Sequence, residues 1–548
     1  MSNSEVKNIL FLMMDQLRMD CLSCYGHPVI ETPNIDRLAA QGVRFTNTYV
    51  QGSSCGNSRA SYYTGRHVRS HGATWNDWPF DVAEWTLADY MKPAGLETVL
   101  LGKTHMKPDL EGMARLGIEP QSELGRYLNN SGFVQGEHDD GLHPEGPTGT
   151  YSKTEPRYNQ YMREQGFTGK NAWLQWANAV EDENSVVHSG FYMEKAHLPA
   201  RIPSEYSETA YMTNRAIETI DALGDKPWCL HLSYIKPHWP FVVSAPYNDL
   251  YRDAEMPAAV KSKHELDDPH PIYREYMKLG IARCMQDDIK RAHVMPTYLG
   301  LIKQLDDEIG RLIKHLEDKG LDQNTLIAIT ADHGDYFGDH WLGEKDLFHD
   351  PSIKVPLIIV DPSSAADTSR GTTCDELTCA IDLIPTFIES LGQEVPQHRL
   401  EGRSLTAALH GKQLKLSRSI IVCEGDYGRL PVARTLQRDP YNARMTMAFD
   451  GRYKFVHCPG FAPMMFDLHN DPDELFDLGR NLDYANVRVG MQEQLLDWSA
   501  TLRNRVTVNA QMYQDNMGKT LRQGIIPGFW SSDEVPEARK IPKELGVN

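Results

Sequence analysis

The sequence predicts an α/β fold: a large mixed, mostly parallel sheet flanked by helices over residues 1–394, then a smaller C-terminal α+β subdomain over 395–506. Three observations carry this. Apolar runs of strand length alternate with segments of helical period through the first 105 residues and again from 208 to 392. Several of those runs stop abruptly at charged residues, where parallel sheets place their ligands. Beyond about 395 the pattern changes to short strands and one late helix. The 548 residues are 41% hydrophobic and 24% charged, ordinary for a folded chain and long enough for one large domain with an accessory one.

Taken in order, Ile9–Met14 is a continuous apolar run ending at Asp15-Gln16, the pattern of a strand buried on both faces. Thr32-Pro33-Asn34 opens a helix over Asn34–Gln41, closed by Gly42. Val43–Val50 is strand-like. Ser58–Thr64 is helical up to Gly65, with Cys55 at its entrance. Thr86–Lys92 is a helix ended by Pro93, and Glu97–Leu101 a strand ended by Gly102-Lys103. Residues 106–205, rich in Gly, Pro and Asn around GEHDDGLHPEGPTGTYSKTEP, break the rhythm and read as a long insertion or lid, or as a linker. The rhythm resumes with a helix at Glu208–Leu223 and a strand at Trp228–Tyr234. An amphipathic helix follows over Met295–Lys319, with Leu299, Ile302, Leu305, Ile309, Leu312 and Leu316 at helical spacing. Leu326–Thr330 and Pro356–Val360 are strands, and Cys379–Leu391 is a helix stopped by Gly392. Ser419–Cys423, Thr446–Phe449 and Tyr453–His457 are short strands, and Val489–Val506 is the last helix. The tail, 507–548, carries Tyr513, Phe529 and Trp530 in a polar background and is expected to pack on the body or on another subunit.

The net charge of −19 argues against a nucleic-acid or anionic-membrane partner, since both need excess Lys and Arg. No apolar run reaches the roughly 18 residues of a membrane span. The N-terminal segment ends its apolar stretch at Asp15 without a small-residue cleavage site, so a signal peptide is not expected. Nine irregularly spaced cysteines are not a disulfide framework and fit a reducing, cytoplasmic setting. Cys21-x-x-Cys24 lacks a second pair at zinc spacing and reads best as two small residues in a loop.

Five segments put unusual polar residues at strand ends or helix starts. Asp15-Gln16 follows the first strand, and Asp332-His333-Gly334 follows Leu326–Ala331. Either alone passes for a polar turn; together they form a candidate divalent-metal site, because carboxylate oxygens suit hard cations and imidazole also admits Mn or Zn. Cys55-Gly56-Asn57-Ser58-Arg59 sets a nucleophile at a helix N-terminus with Arg59 one turn on. Lys103 and His105 alternate after Glu97–Leu101 and face one side if the chain stays extended. His238 stands between Pro237 and Pro240 in a stiff loop, and Lys345 lies in the loop after Asp332-His333. A metal with the cations Arg59, Lys103 and Lys345 around the open side suits a tetrahedral oxyanion, sulfate or phosphate, whose leaving oxygen takes a proton from His or Lys. No second set of Asp and His ligands is apparent.

Read in order, these segments resemble the motifs of type I sulfatases of the alkaline phosphatase superfamily: Cys55 to Arg59 the Cys-x-Pro-Ser-Arg motif, Gly102 to His105 the Gly-Lys-x-His motif, Pro237 to Phe241 the Pro-His-x-Pro-Phe motif, and Asp332 to Lys345 the Asp-His-Gly…Lys stretch. The resemblance spans roughly the first two-thirds of the chain and implies an alkaline phosphatase-like fold. It further implies that a maturation enzyme converts Cys55 to formylglycine, whose hydrate is the nucleophile. One divalent ion (Ca, Mn or Zn) would be bound by Asp15, Asp332, His333 and residue 55, with Gln16 alongside. It assigns His105 to collapse of the covalent adduct, His238 and Lys345 to the leaving group, and Arg59 and Lys103 to the hydrate and anion.

Two departures point to a branch. Asn57 stands where the family has Pro, which bears on Cys55 conversion. Gln16 and His333 replace an Asp and an Asn of many sulfatases, as in the phosphonate monoester hydrolase and dimeric arylsulfatase subgroup, where an Asn at the spacing of Asn76 touches substrate. The expected activity is an arylsulfatase-type hydrolysis of small sulfate esters, promiscuous toward phosphate and phosphonate esters, in a homodimer or homotetramer. The alternative is a phosphonate monoester or phosphodiester hydrolase using the same site. A non-catalytic binder of sulfated ligands is a third reading, should Cys55 stay unconverted.

Overall fold

A computed structural model describes residues 5–141, 155–414, 418–517 and 526–546. Its centre is an eight-stranded sheet built from β1 (Asn8–Asp15), β2 (Val43–Phe45), β3 (Glu97–Gly102), β4 (Val134–His138), β5 (Trp228–Pro237), β6 (Thr325–Ala331), β7 (Leu357–Val360) and β8 (Thr372–Cys374). The spatial order is β8-β2-β7-β6-β1-β5-β3-β4. From β6 to β4 the strands run parallel, while β7 is antiparallel to both of its neighbours. In β1, Leu10 pairs with Leu230 on one side and Ile327 on the other. Every residue of this strand is buried, because a central parallel strand is covered on both faces, and its sequence is accordingly a continuous apolar run.

The flanking helices include α1 (Pro33–Gln41), α2 (Cys55–Thr64), α3 (Glu208–Leu223), α4 (Asp288–Lys319) and α5 (Leu383–Ser390). Helix α4 starts well before the expected Met295: Asp287 caps it by accepting from the Ile289 and Lys290 N–H groups, and the helix runs through Pro296 to Gly320. Val43–Val50 is not one strand. Val43–Phe45 joins the main sheet, and Thr48–Tyr49 pairs with Thr378–Cys379.

Part of the segment 106–205, expected to be an insertion, lid or linker, belongs to the main sheet. Helices Leu110–Arg115 and Glu123–Asn129 lead into β4, which adds to the sheet edge beside β3. The sequence of β4, VQGEH, carries no apolar alternation, because an edge strand leaves positions such as Val134 open to solvent. Residues 142–154 of that segment lie outside the described residues.

The C-terminal part forms a four-stranded antiparallel sheet of β9 (Ile421–Asp426), β10 (Arg444–Phe449), β11 (Tyr453–His457) and β12 (Met464–Asp467), the last not anticipated. Helix α6 (Ala485–Thr501) covers it, with Met491 and Leu495 packed on Ile420, Val422, Ala448 and Phe455. Strand β9 also reaches the main body. The Glu424 N–H donates to the Gln51 carbonyl at 2.9 Å, and the Ser53 N–H to the Glu424 carbonyl at 3.3 Å. The C-terminal sheet therefore grips the segment leading into α2. Residues 1–395 and 401–502 form one compact unit; residues 396–400 and 503–548 form a second.

Candidate active site

Five adjacent parallel strands deliver their C-terminal residues to one edge of the sheet, which is where the site lies. Asp15 ends β1, Asp332-His333 follows β6, Lys103 follows β3, His238 follows β5, and Asp140 follows β4. Helix α2 supplies Cys55 from beneath. Cys55 is the first residue of the helix rather than a neighbour of its entrance, and Ser54 is the cap residue. Asn57 accepts from the Ser54 N–H at 2.9 Å and donates to the Thr74 carbonyl at 3.2 Å, so it fixes the helix start. All ten residues of α2 are buried, polar ones included. Gly56 allows close packing here: its N–H donates to Asn76 Oδ1 at 2.6 Å, and a Cβ would lie 2.5 Å from the Asn76 Cα.

Asp15, Cys55, Asp332 and His333 each present a ligand atom within 4.8 Å of the others, and all four are buried. Cys55 Sγ lies 3.0 Å from His333 Nε2 and 4.0 Å from Asp15 Oδ1. The other ring nitrogen of His333, Nδ1, donates to the Gly334 carbonyl at 2.8 Å, which leaves the Nε2 lone pair facing the cluster, as in metal-ligating histidines. The Gln16 and His333 N–H groups both donate to Asp332 Oδ1. The Gln16 side chain is held by its amide N–H to Asp335, and its oxygen lies 3.4 Å from Lys345 Nζ. Among the described residues Asp77, His105 and Asp140 also lie close together.

Arg59 departs from its expected place at the open side. Its guanidinium is fully buried beneath the carboxylates, donating to Asp332 Oδ2 at 2.8 Å, Asp15 Oδ2 at 3.0 Å, the Lys103 carbonyl at 2.8 Å and Ser233 Oγ at 2.6 Å. Spacing puts Arg59 one turn from Cys55 but does not say which way it turns. Lys103 and Lys345, by contrast, line the cleft. Lys103 Nζ pairs with Asp15 at 2.6 Å and lies 4.0 Å from Cys55 Sγ. Lys345 Nζ lies 3.4 Å from His238 Nε2 and 3.1 Å from Glu344. Nor is the chain extended from Lys103 to His105, because His105 sits at φ 51°; both nevertheless line the cleft.

Burial would raise the Asp15 pKa, but the charges of Lys103 and Arg59 hold it well below the usual carboxylate range. Burial pulls Lys103 and Lys345 down, and nearby Asp15 and Cys55 more than reverse this, so both stay charged. His238 is held neutral, by burial first and then by the two lysines; its Nδ1 donates to the Trp239 carbonyl, leaving Nε2 to accept from Lys345.

The cleft above these groups is walled by Trp75, Trp173 and Trp239, with Asn76, Asp140, Lys236, Glu344 and Asp346 at its sides. Sequence reasoning missed the tryptophans, Asp140, Lys236 and Asp346. Lys236 and Asp346 flank residues already singled out, which was the available signal; Asp140 and Trp173 lie in the segment read as a lid or linker. Cys21 and Cys24 remain free thiols away from the site.

The fold and the strand-end site are those of a hydrolase of the alkaline phosphatase superfamily. The chain belongs to the sulfatase family: residues 7–393 match the family model described as Sulfatase, and residues 338–501 match the one described as N-sulphoglucosamine sulphohydrolase, C-terminal. It is similar to a multifunctional alkaline phosphatase superfamily protein, PehA, of Trinickia caryophylli, at 29% identity over 91% of this chain and 96% of the relative. It is similar also to an arylsulfatase of Clostridium perfringens, at 30% over 73% and 77%. Among solved structures, the phosphonate monoester hydrolase of Silicibacter pomeroyi superposes with a TM-score of 0.79 at 26% identity, covering 91% of this chain and 96% of that one.

Proposed function

We propose that the chain hydrolyses sulfate monoesters of the arylsulfatase type in this cleft, with residue 55 as nucleophile after conversion of Cys55 to formylglycine. The reading rests chiefly on one observation: the nucleophile position, two carboxylates and an imidazole converge within 4.8 Å at the floor of a cleft that Lys103 and Lys345 line. Asp15, Asp332, His333 and residue 55, with Gln16 adjacent, form a donor set suited to one divalent ion, Ca, Mn or Zn. Bound there, the ion would supply Lewis-acid polarisation and favour the ionised nucleophile, while the formylglycine hydrate would supply a hydroxyl to attack and a second to expel the product.

The remaining work falls to the chain. Arg59 holds Asp15 and Asp332 in place with donors on both, so it orients ligands rather than substrate. Lys103 and Lys345 offset the negative charge of the tetrahedral anion in a site shielded from water. Lys345 Nζ donates to Nε2 of neutral His238, so Lys345 is the proton-bearing member of the pair and can give its proton to the leaving oxygen directly, or through His238 once Nε2 has taken it. His105 assists release of the adduct, and Asn76 contacts the substrate beside Gly56. The tryptophan walls suit an aryl leaving group. The wider expectations stay part of the proposal: a catalytic region over 1–394, a subdomain over 395–506, a tail at 507–548 that builds a homodimer or homotetramer, and a cytoplasmic chain matured by a formylglycine-generating enzyme.

A phosphonate monoester or phosphodiester hydrolase is the second reading, favoured by Gln16 and His333 and by the phosphonate monoester hydrolase likeness. The two are separated by kcat/KM on matched aryl sulfate and aryl phosphonate esters. A sulfate preference is expected; a phosphonate preference of tenfold or more, roughly 1.4 kcal/mol, would reverse the order. Intact mass of the residue-55 peptide tests conversion, and wholly unmodified Cys55 in protein that turns over repeatedly would defeat the aldehyde mechanism.

A further inference from the structure

We infer that Asp77, a residue no motif singles out, positions the His105 imidazole against residue 55. This rests on the sulfate-ester reading above. His105 is buried in the wall of the cleft that Cys55 also lines. Asp77 Oδ1 lies 3.6 Å from His105 Nδ1, with Lys107 Nζ at 3.8 Å from the same oxygen. A carboxylate on Nδ1 sets the tautomer and plane of an imidazole and aims Nε2 at the reacting residue.

Two further features support the assignment. Both residues have positive φ, 62° at Asp77 and 51° at His105, which is uncommon for side-chain-bearing residues. The strained backbone on each side brings carboxylate and ring together. Asp77 also follows Asn76, whose Oδ1 accepts from the Gly56 N–H at 2.6 Å. One short segment thus touches the residue after the nucleophile and backs the histidine in front of it.

Asp140 does a different job. Its Oδ1 accepts from the Thr104 and His105 N–H groups at 2.8 and 3.4 Å, and its Oδ2 pairs with His138 Nε2 at 2.8 Å. It holds the backbone of His105, and Asp77 holds the ring. Both Asp140 oxygens are taken by N–H donors, so Asp140 serves as a support for the backbone and not as a metal ligand.

The test compares Asp77→Asn, Asp77→Glu, His105→Ala and the Asp77→Asn/His105→Ala double variant in matured protein on an aryl sulfate. Asp77→Asn should lower kcat about tenfold to a hundredfold with KM nearly unchanged, the usual size of a second-layer effect. The double variant should be no worse than His105→Ala, since both changes act through one group. Mass spectrometry should find the residue-55 peptide of Asp77→Asn carrying one sulfo group at steady state, and Asp77→Glu should recover most of the lost rate. Wild-type kcat in Asp77→Asn while His105→Ala is impaired overturns this inference alone. Multiplicative losses in the double variant, or one metal equivalent fewer in Asp77→Asn, also overturn it, the latter in favour of a metal ligand. Absence of any sulfate-ester turnover in wild type overturns the parent reading as well.

Discussion

Arg59 and Asp332 show what a sequence discloses of single residues and what it withholds. Asp15, Asp332 and His333 were legible because a charged residue closing a buried strand has few places to go but the ligand edge. The direction of Arg59 was not legible, because helical spacing fixes its turn and leaves open whether it meets substrate or carboxylates. The four hydrogen bonds of its guanidinium to Asp332, Lys103, Ser233 and Asp15 all end on protein atoms. We expect Asp332→Asn to lower bound metal and to cut activity by orders of magnitude in a folded protein; full metal content with wild-type activity would sink the ligand assignment. Asn57 carries a second prediction. Asn57→Pro should raise the formylglycine fraction in a host with the maturation enzyme, because it restores the family motif. It should also cost about 1 kcal/mol of stability, since the Asn57 side chain that caps α2 is lost. Peptide mass and denaturant melts would read the two effects separately.

At the scale of elements, the strands buried in mid-sheet were legible and the edge strand β4 was not, since only a strand covered on both faces writes itself as a continuous apolar run. The docking of β9 on residues 51–53 was equally hidden, because backbone pairing over that sequence distance leaves no trace in side-chain pattern. Glu424 of β9 makes this junction sensitive to pH. Burial pushes its carboxyl up to about 7 from 4.5, with the Arg69 N–H and charge only partly opposing. The folded protein then keeps a proton that the unfolded chain has released, so stability should fall as pH rises from about 4.5 to 7. The loss is at most about 3 kcal/mol. Glu424→Gln should flatten that part of the stability profile in urea melts, and an unchanged slope would show that Glu424 is not its source.

At the scale of the whole molecule, the second compact unit holds several apolar side chains in water: Met512, Tyr513, Met517 and Trp530, the last 94% exposed. A chain of net charge −19 does not associate without a specific surface. If the chain forms the proposed homodimer or homotetramer, removal of 507–548 should lower its subunit number in light scattering; an unchanged subunit number would refute the tail's role. The grip of β9 on residues 51–53 has a further consequence, one of timing. Cys55 is 1% exposed once folded, and the strand that fastens its approach is synthesised far downstream. At about 5–20 residues per second, the interval between the two is on the order of tens of seconds. If Cys55 is converted as proposed, a maturation enzyme that must grasp it would work in a race with the ribosome, and the finish would be the arrival of Glu424. Slower translation between the two would then yield more active molecules from the same number of chains.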